Sequence, residues 1–204
     1  MTRKPMSNDS ALTSSAKEIL LRKRLASQLN AARITELIQR RGTAEKTQCL
    51  LSFAQQRLWF LDQLEQGSAF YNIPAALRLR GVLQRDALQF ALNTIVQRHE
   101  ALRTTFSTHD GQPTQYIAPS MSLVIEEHDL SSLPEQEIEA RADKLAGEEA
   151  RRPFDLKQGP LIRCSLLQLS PDQHLLLLTL HHIIADGWSI GVFIRELGRL
   201  YARF

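Results

Sequence analysis

The chain has 204 residues, 43% hydrophobic and 23% charged, the composition of an ordinary soluble globular protein long enough for one or two domains and a sizeable core. Two cysteines, Cys49 and Cys164, without a Cys-x-x-Cys or Cys/His cluster, exclude a disulfide framework and a structural zinc site; no signal peptide or membrane span is visible, so a cytoplasmic protein is expected. The net charge of +3 is uneven, since residues 1–50 hold ten Lys or Arg against four Asp or Glu, a balance of +6 that leaves −3 on the remainder.

After a polar opening, the apolar residues Ile19, Leu20, Leu25, Leu29, Ile34, Leu37 and Ile38 recur at helical spacing and predict a helix from about Ala16 to Arg40. This basic stretch has no aromatic residue and no base-reading motif, which argues against nucleic acid and for a linker or docking helix. Gly42 to Gln48 forms a boundary, giving a tail over residues 1–48 and a body over residues 49–204. In the body, Phe53 to Leu64 reads as an amphipathic helix capped by Ser52, with Trp59 and Phe60 expected in the core. Tyr71 to Arg80 alternates as a half-buried strand, and Pro74 suggests an irregular start or an edge position.

Leu88, Ala91, Leu92, Ile95 and Val96 form the apolar stripe of a helix from about Arg85 to Glu100, with Arg98 complementing its negative end. Leu102 to Ser107 and Thr114 to Ala118 form a predicted hairpin around Asp110-Gly111. A strand is expected near Leu123 to Glu127, then a helix opened by Pro134 and ending before Pro153. Leu161 to Leu169 and His174 to Ile183 predict two more strands, and a last helix follows Trp188.

Chemistry concentrates in Leu175 to Ser189, where an apolar run too short for a membrane span leads into His181, His182 and then Asp186-Gly187. Successive strand side chains point to opposite faces, so His181 and His182 cannot serve one site together; one faces a cavity and the other faces structure. An imidazole held at the end of a core strand is a candidate general base. Asp186 stands where a helix N-cap or a turn-stabilising carboxylate is expected, and Gly187 allows backbone angles that a Cβ resists. The overlapping Gly187-Trp188-Ser189-Ile190-Gly191 fits the nucleophile elbow of a hydrolase, but no histidine follows it to complete a triad, so Ser189 reads as a helix cap.

The segment His181 to Ser189 resembles the His-His-x-x-x-Asp-Gly-Trp-Ser signature of nonribosomal peptide synthetase condensation domains, shared in part with chloramphenicol acetyltransferase-like acyltransferases. Ser52 to Leu61, Arg98 to Phe106, and Pro153-Phe154-Asp155-Leu156 with Gly159-Pro160-Leu161 are similar to further motifs of that family, in family order. The resemblance covers about Leu51 to Phe204 and implies an α/β (α+β) chloramphenicol acetyltransferase-like lobe, a mixed sheet flanked by helices. It implies that the chain is the first of two lobes and is truncated. The implied reaction joins a donor acyl or peptidyl thioester to an acceptor aminoacyl thioester. His182 would act on the amine or the intermediate, with His181, Asp186 and Gly187 shaping the site and Arg98, or failing that Arg103, pairing with Asp186. No bound cofactor is implied: substrates arrive as phosphopantetheine thioesters on carrier domains, with an adenylation domain as a further partner and neither nucleic acid nor membrane. The alternatives are an epimerisation domain, a free acyltransferase using coenzyme A, or a carrier-binding piece without activity.

Overall fold

In the computed structural model, which describes residues 48–204, the leucine run becomes the interior strand around which the other elements pack. In chain order the elements are β1 (Gln48–Leu50), α1 (Phe53–Leu64), β2 (Asn72–Arg80), α2 (Arg85–Arg98) and a 3-10 turn over Glu100–Arg103. There follow β3 (Thr104–His109), β4 (Gln112–Ile117), β5 (Ile125–Asp129), α3 (Glu135–Arg151), β6 (Ile162–Ser170), β7 (Gln173–His181) and α4 (Gly187–Tyr201). The tail helix expected within residues 1–48 lies outside the described residues.

Strands β2, β7, β6 and β5 form a mixed four-stranded sheet in that order, β5 parallel to β6 and the rest antiparallel. β7 is covered on both faces, which is why it reads as continuous leucine and not as an alternation. Leu176, Leu178 and Leu180 meet α2 and α4 through Leu92, Ile95, Phe193 and Leu197, while Leu175 and Leu177 meet α3 through Ala142. Pro74 lies on β2, an edge strand, where its missing N–H costs no ladder bond.

The smaller sheet has the order β1-β4-β3. Its hairpin turns at Asp110 and Gly111, with φ of 49° and 78°, the left-handed pair that the Asp-Gly dipeptide favours. A separate cluster of Leu51, Phe106, Phe154, Leu156, Leu161 and Ile183 takes in Leu58 and Trp59 of α1 and the chain just beyond β7. α1 has no fully buried residue, and Phe60, expected in the core, is 58% exposed because α1 turns Leu58 and Trp59 to that cluster instead. Among the described residues, no helix is long and apolar enough to cross a membrane.

Candidate active site

The two histidines part where β7 ends. His181 is the last strand residue and belongs to the odd-numbered face with Leu175 and Leu177; its ring is buried, and His182, first residue of the following turn, is exposed. Their backbones are tied on both sides: His181 N–H donates to Leu161 O (3.0 Å) and His182 N–H donates to Tyr71 O (2.8 Å). His181 lies between the rings of Tyr71 and Phe154, with Phe154 perpendicular at 6.1 Å between centroids.

Hydrogen-bond partners fix the two tautomers in opposite senses. Ile183 N–H donates to His181 Nδ1 (3.1 Å), so that nitrogen carries no proton and the neutral ring is protonated on Nε2. His182 Nδ1 lies 2.8 Å from Ala185 O, which only accepts, so His182 carries its proton on Nδ1 and the Nε2 lone pair is left for a reacting group. Burial, with the neighbouring His182 adding to it, lowers the His181 pKa to about 4. The ring of His181 is thus a neutral part of the structure.

Asp186 is the N-cap of α4. It accepts from Ser189 N–H (2.8 Å) and Ser189 Oγ (2.6 Å), and the Ser189 hydroxyl accepts from the Asp186 N–H (3.2 Å), a closed capping box. These bonds from the Ser189 side chain and backbone, with a smaller charge effect of His182, hold the Asp186 carboxyl below its ordinary pKa. Three expectations need correcting here. The last helix begins at Gly187, before Trp188; its N-cap is Asp186, as expected, and Ser189 closes the cap as the N3 member of the capping box. Gly187 has no left-handed φ, and a Cβ there would meet nothing within 4 Å, so neither backbone angle nor space within the lobe demands glycine.

The third correction concerns the arginines. Neither Arg98 nor Arg103 reaches Asp186. Arg98 Nη1 donates to Glu196 of α4 (2.9 Å), a carboxylate shared with His99 Nε2 (3.1 Å). Burial raises the Glu196 pKa, but the His99 hydrogen bond and the His99 and Arg98 charges outweigh it and leave it lowered. Arg103 donates to Ala118 O and pairs with Glu100 at 3.6 Å. The reason is geometric: the C-terminal end of α2 lies beside the middle of α4, so the carboxylate within reach is Glu196, while Asp186 is already engaged by Ser189.

Two further groups that hold the site are not singled out for it by the sequence, although the first lies in the Ser52 to Leu61 motif. Gln55, at the third position of α1 and part of the Ser52 capping box, reaches Ile183 O at 3.5 Å. Tyr71 contributes a main-chain carbonyl, which no side-chain pattern announces. A recess of about 180 Å³ lies under the turn, lined by His99, Leu180, Ile184, Ala185, Trp188 and Phe193. A wider groove, about 690 Å³, runs past Arg103, Thr105, Phe154 and Arg163 and includes neither His182 nor Asp186; chemistry, not size, marks the site. Among the described residues no group of three His, Cys, Asp or Glu side chains is placed to hold a metal ion.

Residues 45–204 match the family model described as the condensation domain. A linear gramicidin synthase of Brevibacillus parabrevis is 52% identical over 151 residues, 74% of this chain and 2% of that protein. Malpibaldin synthetase of Mortierella alpina is 52% identical over 155 residues, 76% of this chain and 3% of that protein. Among solved structures, the starter condensation domain of rhizomide synthetase RzmA superposes with a TM-score of 0.71 and 27% identity, covering 76% of this chain and 38% of that one. The chain therefore spans a small fraction of these synthetases and under half of the solved domain.

Proposed function

Because this chain belongs to the condensation-domain family of nonribosomal peptide synthetases, we propose that it forms the first lobe of a domain that makes amide bonds between carrier-bound thioesters. Residues 49–204 are taken as that lobe and residues 1–48 as a separate tail with a linker or docking helix. The donor is an acyl or peptidyl thioester and the acceptor an aminoacyl thioester, each on the phosphopantetheine arm of a carrier domain. An adenylation domain of the same assembly line would load them.

The observation that carries this reading is the state of His182: exposed, fixed by Ala185 O through Nδ1–H, and therefore offering the Nε2 lone pair outward. An α-amine titrates near pH 8, so a useful fraction is already neutral at physiological pH, and what it needs is orientation and a proton acceptor as the C–N bond forms. Nε2 accepts a hydrogen bond from the attacking N–H, aims the amine lone pair at the thioester carbon and takes the proton. Once protonated, it becomes a donor for the developing oxyanion or the departing thiolate. No covalent enzyme intermediate is required.

The test is a complete domain carrying this lobe, mixed with donor and acceptor thioesters each loaded on its carrier protein and followed by mass spectrometry. A new amide on the acceptor arm is expected. Inversion at the donor Cα without a new amide would assign an epimerisation domain instead. Transfer only from coenzyme A would assign a free acyltransferase, and carrier binding without product would assign a docking piece.

A further inference from the structure

Arg163 on β6 gathers several carbonyls at one place. Its Nε donates to Glu149 Oε1 (2.5 Å), Nη2 donates to Glu149 O (3.2 Å) and Arg152 O (2.7 Å), and Nη1 donates to Pro153 O (3.3 Å). The guanidinium thus closes the C-terminal end of α3 and fixes the chain as it enters Phe154. Asn72 adds two bonds to the same segment, Nδ2 to Ala150 O (2.8 Å) and to Arg152 O (2.9 Å). In the β2–β7 ladder Asn72 stands directly opposite His181.

The guanidinium carbon also lies 3.7 Å from the centroid of the Phe154 ring, a stacked cation–π contact. Phe154 in turn meets the buried His181 ring edge-on. A staple between α3 and the sheet would need only the Glu149 carboxylate. The stacking on Phe154 and the bonds to the backbone leading into it carry the contact onward, to His181, to the Ile183 N–H that His181 Nδ1 accepts, and so to the turn in which Ala185 O holds His182.

We infer that Arg163 is a positioning residue for His182, acting through Phe154 and His181 to keep the turn after β7 in the form that fixes the His182 ring. This rests on the reading of His182 as the reactive side chain. A lysine at 163 would keep a charge beside Glu149 but has neither the planar fork for the carbonyls nor the flat face for the ring.

The experiment is imidazole 1H–15N correlation spectroscopy on the 204-residue chain at neutral to mildly alkaline pH, with the two rings assigned through His181→Gln and His182→Gln. The parent is expected to show opposite tautomers, the Nε2–H form at His181 and the Nδ1–H form at His182. In Arg163→Lys, with the fold retained by circular dichroism, the His182 signal is expected to lose most of its Nδ1–H character. A folded Arg163→Lys chain with the parent pattern would overturn the inference. Should that variant not fold, Phe154→Leu breaks the same link from its other end at similar volume, with the same expected and overturning results. Arg78→Lys, at the surface pair with Glu139, is expected to leave both tautomers unchanged, and a matching change there would also overturn the inference. The readout needs no turnover, so it stands apart from the outcome of the condensation assay.

Discussion

His181 and His182 are neighbours with opposite partners at Nδ1, an N–H donor for the first and a carbonyl acceptor for the second. The first is thereby committed to being neutral, and its pKa of about 4 lies below the ordinary 6.5 because burial disfavours the cation. The unfolded chain binds a proton at this ring near pH 6.5 and the folded chain does not. Stability from His181 is therefore complete above about pH 6.5, falls as the pH drops, and levels off below about pH 4, a total of about 3 kcal/mol. Urea unfolding of the parent and of His181→Gln should show the parent losing about 2 kcal/mol more between about pH 7 and about pH 4.5. His174, whose pKa burial and then Arg85 also lower, is present in both chains and cancels in the difference. Equal losses in the two chains would mean that His181 is accessible to protons in the folded state.

At the scale of elements, α4 begins within the signature, at Gly187, and its cap explains Asp186 without an arginine. An amide oxygen at position 186 could accept from the Ser189 N–H as the carboxylate does, so Asp186→Asn is expected to melt close to the parent and Asp186→Ala a few degrees lower. An ion pair with an arginine would make the two substitutions equally damaging, and thermal unfolding distinguishes the cases. Gly187 is the first residue of α4, in open space, so Gly187→Ala should fold at least as well as the parent. A clear drop in melting temperature would contradict that. Lost turnover with an intact fold would instead place a substrate against the main chain at 187. α4 is also held at its middle, where Arg98 and His99 share Glu196, so the helix that carries the cap is anchored to α2 as well as to the sheet.

For the whole molecule, the elements were legible because each has a local cause. The leucine run gave β7, the Asp110-Gly111 pair gave the β3–β4 turn, and the stripe from Leu88 to Val96 gave α2. The parting of His181 and His182 was legible for the same reason, since it follows from the period of a strand. The Arg98 partner was not, because Glu196 is 98 residues further on and only the packing of α2 on α4 brings them together. Nor was the exposure of Phe60 legible, since α1 is apolar on more than one side and the choice of face is made by the cluster around Phe106 and Ile183. Tyr71 and Arg163 act through a main-chain carbonyl and a ring face, features that no motif spells out. The central claim is that the exposed imidazole beyond β7 does the chemistry, and the most direct measurement is amide formation by a complete domain with and without His182→Ala. A fall of at least about a hundredfold with the fold intact is expected. Activity within about threefold of the parent would contradict the claim.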